Sequence, residues 1–165
     1  AGFSFQRKEL PMAEPLPVTI RPAAPHEVGL VRDLVRAAYA RWVPVIGREP
    51  RPMQADYDKA FEVHRFDLAE AGGSVVGLIE TEARADHLWI ENIAVAPEVQ
   101  GRGVGRRLLA HADALALAAG LGELRLLTNG KMTGNIALYR SVGYGVDRED
   151  PFLDGTVVYM SKRLD

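Results

Sequence analysis

Ile93-Ala94-Val95-Ala96-Pro97-Glu98-Val99-Gln100-Gly101-Arg102-Gly103-Val104-Gly105-Arg106 is the stretch on which the reading of this 165-residue chain turns. Its first four residues are apolar and run into Pro97, which cannot donate to a sheet ladder and so ends a strand. From Val104 the apolar residues Val104, Leu108, Ala112, Leu115 and Ala119 recur at helical spacing, which predicts a helix from Val104 to Ala119. Three alternating glycines stand between the two elements. Without Cβ atoms the chain can approach a ligand closely, successive N–H groups converge, and the positive end of the helix dipole faces the same point. That is an anion cradle able to take a pyrophosphate without a metal. A turn that binds nothing is the bland alternative, but a turn needs only one glycine.

Two nucleotide loops do not fit. No Lys-Ser or Lys-Thr follows the glycines as a Walker loop requires, and the spacing is G-x-G-x-G where a dinucleotide fingerprint has G-x-G-x-x-G. The elements upstream also differ from a dinucleotide fold. His64–Glu70 and Ser74–Glu82 read as strands joined by Ala71-Gly72-Gly73, and His87–Ala96 follows the turn Arg84-Ala85-Asp86, giving an antiparallel meander. Val18–Arg21 is a first strand, and after Pro25 the residues Val28, Val31, Val35, Ala38 and Trp42 mark one buried helical stripe. Residues 43–53, rich in Pro and Gly, read as a loop without regular structure that walls a site.

Downstream, Gly120 and Gly122 end the long helix and Leu124–Thr128 is a short apolar strand, so strand, glycine turn, helix and strand make a βαβ unit. A helix from Gly134 to Ser141 and two strands, Tyr144–Asp147 and Thr156–Lys162, complete the chain around an Asp154-Gly155 turn. The fold class is α/β (α+β), with a mixed central sheet of about seven strands and about four helices.

Hydrophobic residues make up 47% of the chain, enough for one sizeable core. The 20 Lys and Arg nearly balance 22 Asp and Glu, for a net charge of -2 without long runs of one sign, which argues against nucleic acid as a partner. No apolar run reaches membrane-spanning length and no signal peptide is visible, so a cytoplasmic protein is expected. Without cysteine, neither a disulfide nor an acyl-cysteine intermediate can form. Residues 1–11 read as an expression-tag remnant or a flexible arm, and 12–165 as a single domain.

Ile93–Pro97, Gln100–Gly105, Asn135-Ile136-Ala137-Leu138-Tyr139 and Gly143-Tyr144, in this order, resemble the GNAT acetyltransferases. The resemblance covers about Val18 to Leu164. It implies acetyl-CoA (CoA) as cofactor and an N-acetyltransferase acting by direct attack in a ternary complex. By position, Ile93, Ala94 and Val95 would meet the pantetheine arm where two parallel strands splay apart. Gln100, Gly101, Arg102, Gly103, Val104, Gly105 and Arg106 would surround the pyrophosphate, and Tyr139 would protonate the departing thiolate. Many members carry Asn where this chain has Met132. The segment from Thr128 to Tyr139 is closer to a subgroup with T-N-x-x-M-x-x-N-I-x-L-Y, which makes Thr128, Asn129 and Asn135 candidate cofactor contacts. Homodimer formation is implied on the same ground.

An attacking amine must be neutral, so a carboxylate or a water held by one should take its proton. Glu91, a charge inside the apolar run Trp89–Asn92, is the candidate base, with Glu80, Glu82 or a bridging water as alternatives. Tyr39, Trp42, Met53 and Tyr57 are candidates for an acceptor site with aromatic walls. The four histidines show no metal-ligand spacing, and there is no nucleophile elbow. A small-molecule amine and a protein or peptide amine both remain open as acceptor. Two other classes are weighed beside the enzyme: a non-catalytic acyl-CoA-binding sensor, and an interaction module whose glycine loop is only a turn.

Overall fold

The computed structural model describes residues 14–165, so the expectation for residues 1–11 lies outside the described residues. One seven-stranded sheet runs in the order β1-β2-β3-β4-β5-β7-β6, formed by β1 (Thr19–Pro22), β2 (Arg65–Ala71), β3 (Ser74–Ala83), β4 (Leu88–Val95), β5 (Glu123–Asn129), β6 (Gly145–Phe152) and β7 (Gly155–Arg163). Every pairing is antiparallel except β4 with β5. The β2–β3 turn has positive φ at both Gly72 and Gly73, the requirement of a tight turn that follows strand twist.

Two apolar layers cover the sheet. On one face lies α5 (Val104–Ala118), whose Val104, Leu108, Leu109, Ala112 and Ala116 are buried against Ile79, Ile90, Ile93, Leu124 and Leu126. On the other face α1 (Val28–Tyr39) buries Val31, Val35, Ala38 and Tyr39 with Phe66, Leu68, Leu78 and Ala94. The central strands β2, β3 and β4 thus send residues to both cores, as a two-sided sheet demands. Entry to α1 is fastened by Glu27, which accepts from the Ala24 amide at 2.8 Å and pairs with Arg21. Among the described residues no helix is long and apolar enough to cross a membrane.

Two sequence expectations are corrected. The stretch read as irregular contains two one-turn helices, α2 (Val43–Ile46) and α3 (Arg51–Gln54), separated by Gly47 at φ 87°. Prolines at the first turns of both are tolerated because those amides need no helical partner. A further helix, α4 (Tyr57–Val63), was unread: seven residues are too few for a clear period, and its signal is the Asp56 cap that accepts from Lys59 N. With α6 (Thr133–Ser141) the described chain has six α-helices where about four were expected.

Candidate active site

The site begins with a register slip. Glu80 on β3 pairs with Asn92, but the next residue, Thr81, pairs with Ile90, leaving Glu91 as an extra residue in a β-bulge. The bulge explains how Ile90 and Ile93, three apart, both enter the α5-side core. It also ends the parallel pairing: β4 and β5 match only at Leu88–Leu124, Trp89–Arg125 and Ile90–Leu126. Beyond Ile90 the two strands splay, and Ile93, Ala94 and Val95 line a cavity of about 320 Å³. Its other walls are Tyr39 at the end of α1, Arg41 and Trp42 just beyond it, the glycine loop, and Gly134, Asn135 and Leu138 of α6.

The loop is shaped as a cradle. Gly101 and Gly103 sit at φ 77° and 82°, a region that L side chains rarely adopt. A Cβ on Gly105 would stand 3.0 Å from Leu138 Cδ2. Among the described residues no side chain caps α5, and its first internal bond runs from Arg107 N to Gly103 O, so the amides of Val104, Gly105 and Arg106 have no backbone partner there. These residues fit an anionic group. Gln100 and Arg102 act differently from their neighbours. Gln100 Nε2 donates to Val95 O at 3.0 Å, stapling the loop to β4 while its residue still borders the cavity. Arg102 instead ties the loop to the N-terminal segment: its Nε donates to Glu14 O at 3.2 Å, its carbonyl accepts from Leu16 N, and it lies off the cavity wall. Arg106 does line the wall.

Within the 128–139 segment Gly134, Asn135 and Leu138 border the cavity, so of the three candidate contacts Thr128, Asn129 and Asn135 only Asn135 does so. The Thr128 hydroxyl donates to Met132 Sδ at 3.9 Å, and Asn129 Oδ1 accepts from Lys131 N at 2.9 Å. Both bonds build the turn into α6, and neither residue borders the cavity. Tyr139 is 5% exposed, and burial raises its pKa, so it keeps its proton. Its ring lies 6.0 Å from that of Tyr144. The Tyr144 hydroxyl is sealed in the interior without a partner, whereas that of Tyr139 is not among the sealed atoms.

On the α1 side of β4 a polar network occupies the place where an apolar core would continue. Tyr39 OH lies 2.8 Å from Asn92 Oδ1 and 3.1 Å from Ile93 O, to which it can donate. Asn92 Nδ2 donates to Tyr57 OH at 3.3 Å, and Tyr57 OH donates to Pro52 O at 2.6 Å. Of the expected aromatic wall, Tyr39 and Trp42 reach the cavity, while Met53 and Tyr57 are buried behind it. Glu91 is exposed and accepts from Trp89 Nε1 at 2.6 Å. Glu80, in contrast, is 3% exposed, and its Oε2 lies 2.6 Å from His64 Nδ1. His64 Nε2 lies 2.8 Å from Glu82 Oε2. Desolvation raises the Glu80 pKa against the pull of His64; desolvation opposes charge on His64 as well, but the two carboxylates outweigh it and raise its pKa. His64 and Asn92 were missed in the sequence because strand register alone brings them together.

The profile of the acetyltransferase (GNAT) family matches residues 31–144. An IAA acetyltransferase of Azospirillum brasilense is 37% identical over 82 residues, which are 48% of this chain and 54% of that one; the match thus spans about half the relative's length. Among solved structures, the PaiA N-acetyltransferase of Thermoplasma acidophilum, in complex with coenzyme A, superposes with a TM-score of 0.77 at 18% identity, covering 90% of this chain and 99% of that one. The ribosomal-protein-S18-alanine N-acetyltransferase of Escherichia coli gives 0.74 at 21% identity, covering 90% and 95%. At these identities the structural likeness speaks for the fold.

Proposed function

Because the chain belongs to the GNAT acetyltransferase family, we propose that it moves an acetyl group from acetyl-CoA to a primary amine by direct attack, as a single domain over residues 12–165. One observation carries this reading: the edge of β4 left open beyond Ile90 leads straight into a glycine cradle whose amides at the start of α5 have no partner among the described residues. The cradle would hold the pyrophosphate through Val104, Gly105 and Arg106 amides and the Arg106 side chain. Ile93, Ala94 and Val95 would flank the pantetheine arm, and Asn135 would border it from α6. When bound, acetyl-CoA supplies an activated thioester.

The chain's own residues supply positioning and proton management. Tyr139 holds its proton by burial, and a phenol whose hydroxyl is not sealed can give it to a departing thiolate. Glu80, opposite the bulge, and Glu91, within it, are the carboxylates that would take the acceptor's proton. Tyr39 and Trp42 would line the path of the acceptor.

Calorimetric titration with acetyl-CoA, CoA and ATP tests the reading. Binding of both CoA species but not ATP, followed by thiol release with a panel of primary amines, is expected. Binding with no thiol release would instead mark an acyl-CoA-binding sensor, and no heat from either CoA species would mark an interaction module.

A further inference from the structure

We infer that Glu80 takes the proton from the acceptor's ammonium group, with His64 as its positioning residue and Glu82 as the link to solvent. This rests on the transferase reading above.

Pairing of Glu80 with Asn92 sets the carboxylate one strand from the residue that precedes Ile93, where the cavity wall begins. The bulge beside it places Glu91 close enough for its charge to raise the pKa of both Glu80 and Tyr57. Glu80 therefore sits one strand behind the opened edge, separated from the cavity wall by Asn92 and its partner Tyr39. Its Oε2 is taken by His64, which leaves Oε1 for the Asn92 amide or a ligand donor.

A purely structural carboxylate is a poor explanation for this position. A buried ion is costly to desolvate, and an apolar residue of similar size usually stabilises at least as well. The arrangement also extends beyond one pair. His64 bridges Glu80, whose side chain is 4% exposed, to Glu82, at 36%. An imidazole between a sealed and a solvated carboxylate can receive a proton on one nitrogen and release one from the other.

The groups facing the pair are Glu82 and Arg84 of β3 and its end, Glu91 of β4, Tyr39 of α1 and Tyr57 of α4. Burial raises both tyrosines, so they stay neutral where Glu80 titrates. Arg84 lies 3.5 Å from Glu82 and steadies the outer carboxylate.

The protons balance. An ammonium acceptor gives up two in becoming an amide. The first passes to Glu80, directly or across one water, and leaves through His64 and Glu82. The amine lone pair then forms the C–N bond to the acetyl carbon, the C–S bond breaks with its electron pair going to sulfur, and Tyr139 protonates that sulfur. The second proton, lost from the nitrogen, restores Tyr139 through solvent.

The test compares wild type with Glu80→Gln, His64→Gln and Glu91→Gln. The acceptors are n-butylamine, 1,4-diaminobutane, glycine and an alanyl peptide, with thermal melts and acetyl-CoA titration as controls. Glu80→Gln should lose about 100-fold or more in kcat/KM with acetyl-CoA affinity unchanged. His64→Gln should move the acidic limb of the pH profile upward, because Glu80 loses the partner that lowers its pKa. Glu80→Gln within about threefold of wild type across pH, or a comparable loss in Glu91→Gln alone, overturns the assignment while leaving the transferase reading intact. Should Glu80→Gln fail to fold, an unmoved limb in His64→Gln overturns it. Wild type that turns over none of the amines overturns the transferase reading, and this assignment with it.

Discussion

Gly77 on β3 lies directly beneath Val104, the first residue of α5: a Cβ there would stand 3.0 Å from Val104 Cγ1, 3.1 Å from Leu108 Cδ1 and 3.3 Å from Ala94 O. The sheet thus sets the depth at which the helix start, and the cradle with it, can lie. Gly77→Ala overpacks this contact and is expected to destabilise by about 1–3 kcal/mol. Because Ala94 and Val104 both border the cavity, acetyl-CoA binding should weaken too. A melt and a titration on the same sample check both effects.

At Gly103 the two costs of substitution can be separated. Its φ of 82° strains any L residue, by about 1–2 kcal/mol, but a Cβ would meet open space. Gly103→Ala should therefore weaken acetyl-CoA binding by about tenfold at most. Gly103→Glu adds a negative charge where the pyrophosphate belongs and should abolish binding. Equal affinity in wild type and Gly103→Glu, by calorimetry, would overturn the loop assignment.

The two neighbouring tyrosines should respond in opposite ways. Tyr139→Phe is expected to lower kcat by about 10- to 100-fold without changing acetyl-CoA affinity, since only proton donation is lost. Tyr144→Phe removes a hydroxyl that is sealed without a partner, and should leave stability equal or higher by about 1 kcal/mol. Steady-state kinetics and melts of both variants decide the matter.

Acid should loosen the first helix through Glu27. Hydrogen bonds from Arg21 and from the Ala24 amide hold its carboxyl at about 2. A group depressed in the folded state contributes stability that is present above its unfolded pKa and lost as pH falls through the folded one. That contribution is complete above about pH 5, given an unfolded Glu value near 4.3, and fades toward pH 2. Glu27→Gln should cost about 1–3 kcal/mol at pH 7 and flatten the acid limb of stability. Chemical denaturation at pH 7, 5 and 3 measures the difference.

Much of the architecture was legible because it is written in local chemistry. Glycine at Gly72, Gly73, Gly101 and Gly103 answers a demand of the backbone that no other residue meets so cheaply, and the apolar period of α5 and the stop at Pro97 are equally local. The cradle and the seven strands followed from such signals. The bulge at Glu91 did not, because one extra residue shows only against a partner strand. From that slip came the splayed edge, the alignment of Glu80 with Asn92, and the approach of His64 to two glutamates sixteen and eighteen positions away. Arg102 and Asn129 were named by position in the family motif, and the hydrogen bonds they make within the chain, to Glu14 O and from Lys131 N, could be seen only in the fold. Sequence alone determined where the backbone could turn and where it could run as helix or strand, because those preferences reside in single residues and their periods. Which carboxylate is buried, which is solvated and which side chains meet in the site was decided only by the packing of β3, β4, α1 and α4, because burial and pairing are properties of neighbours distant in the chain.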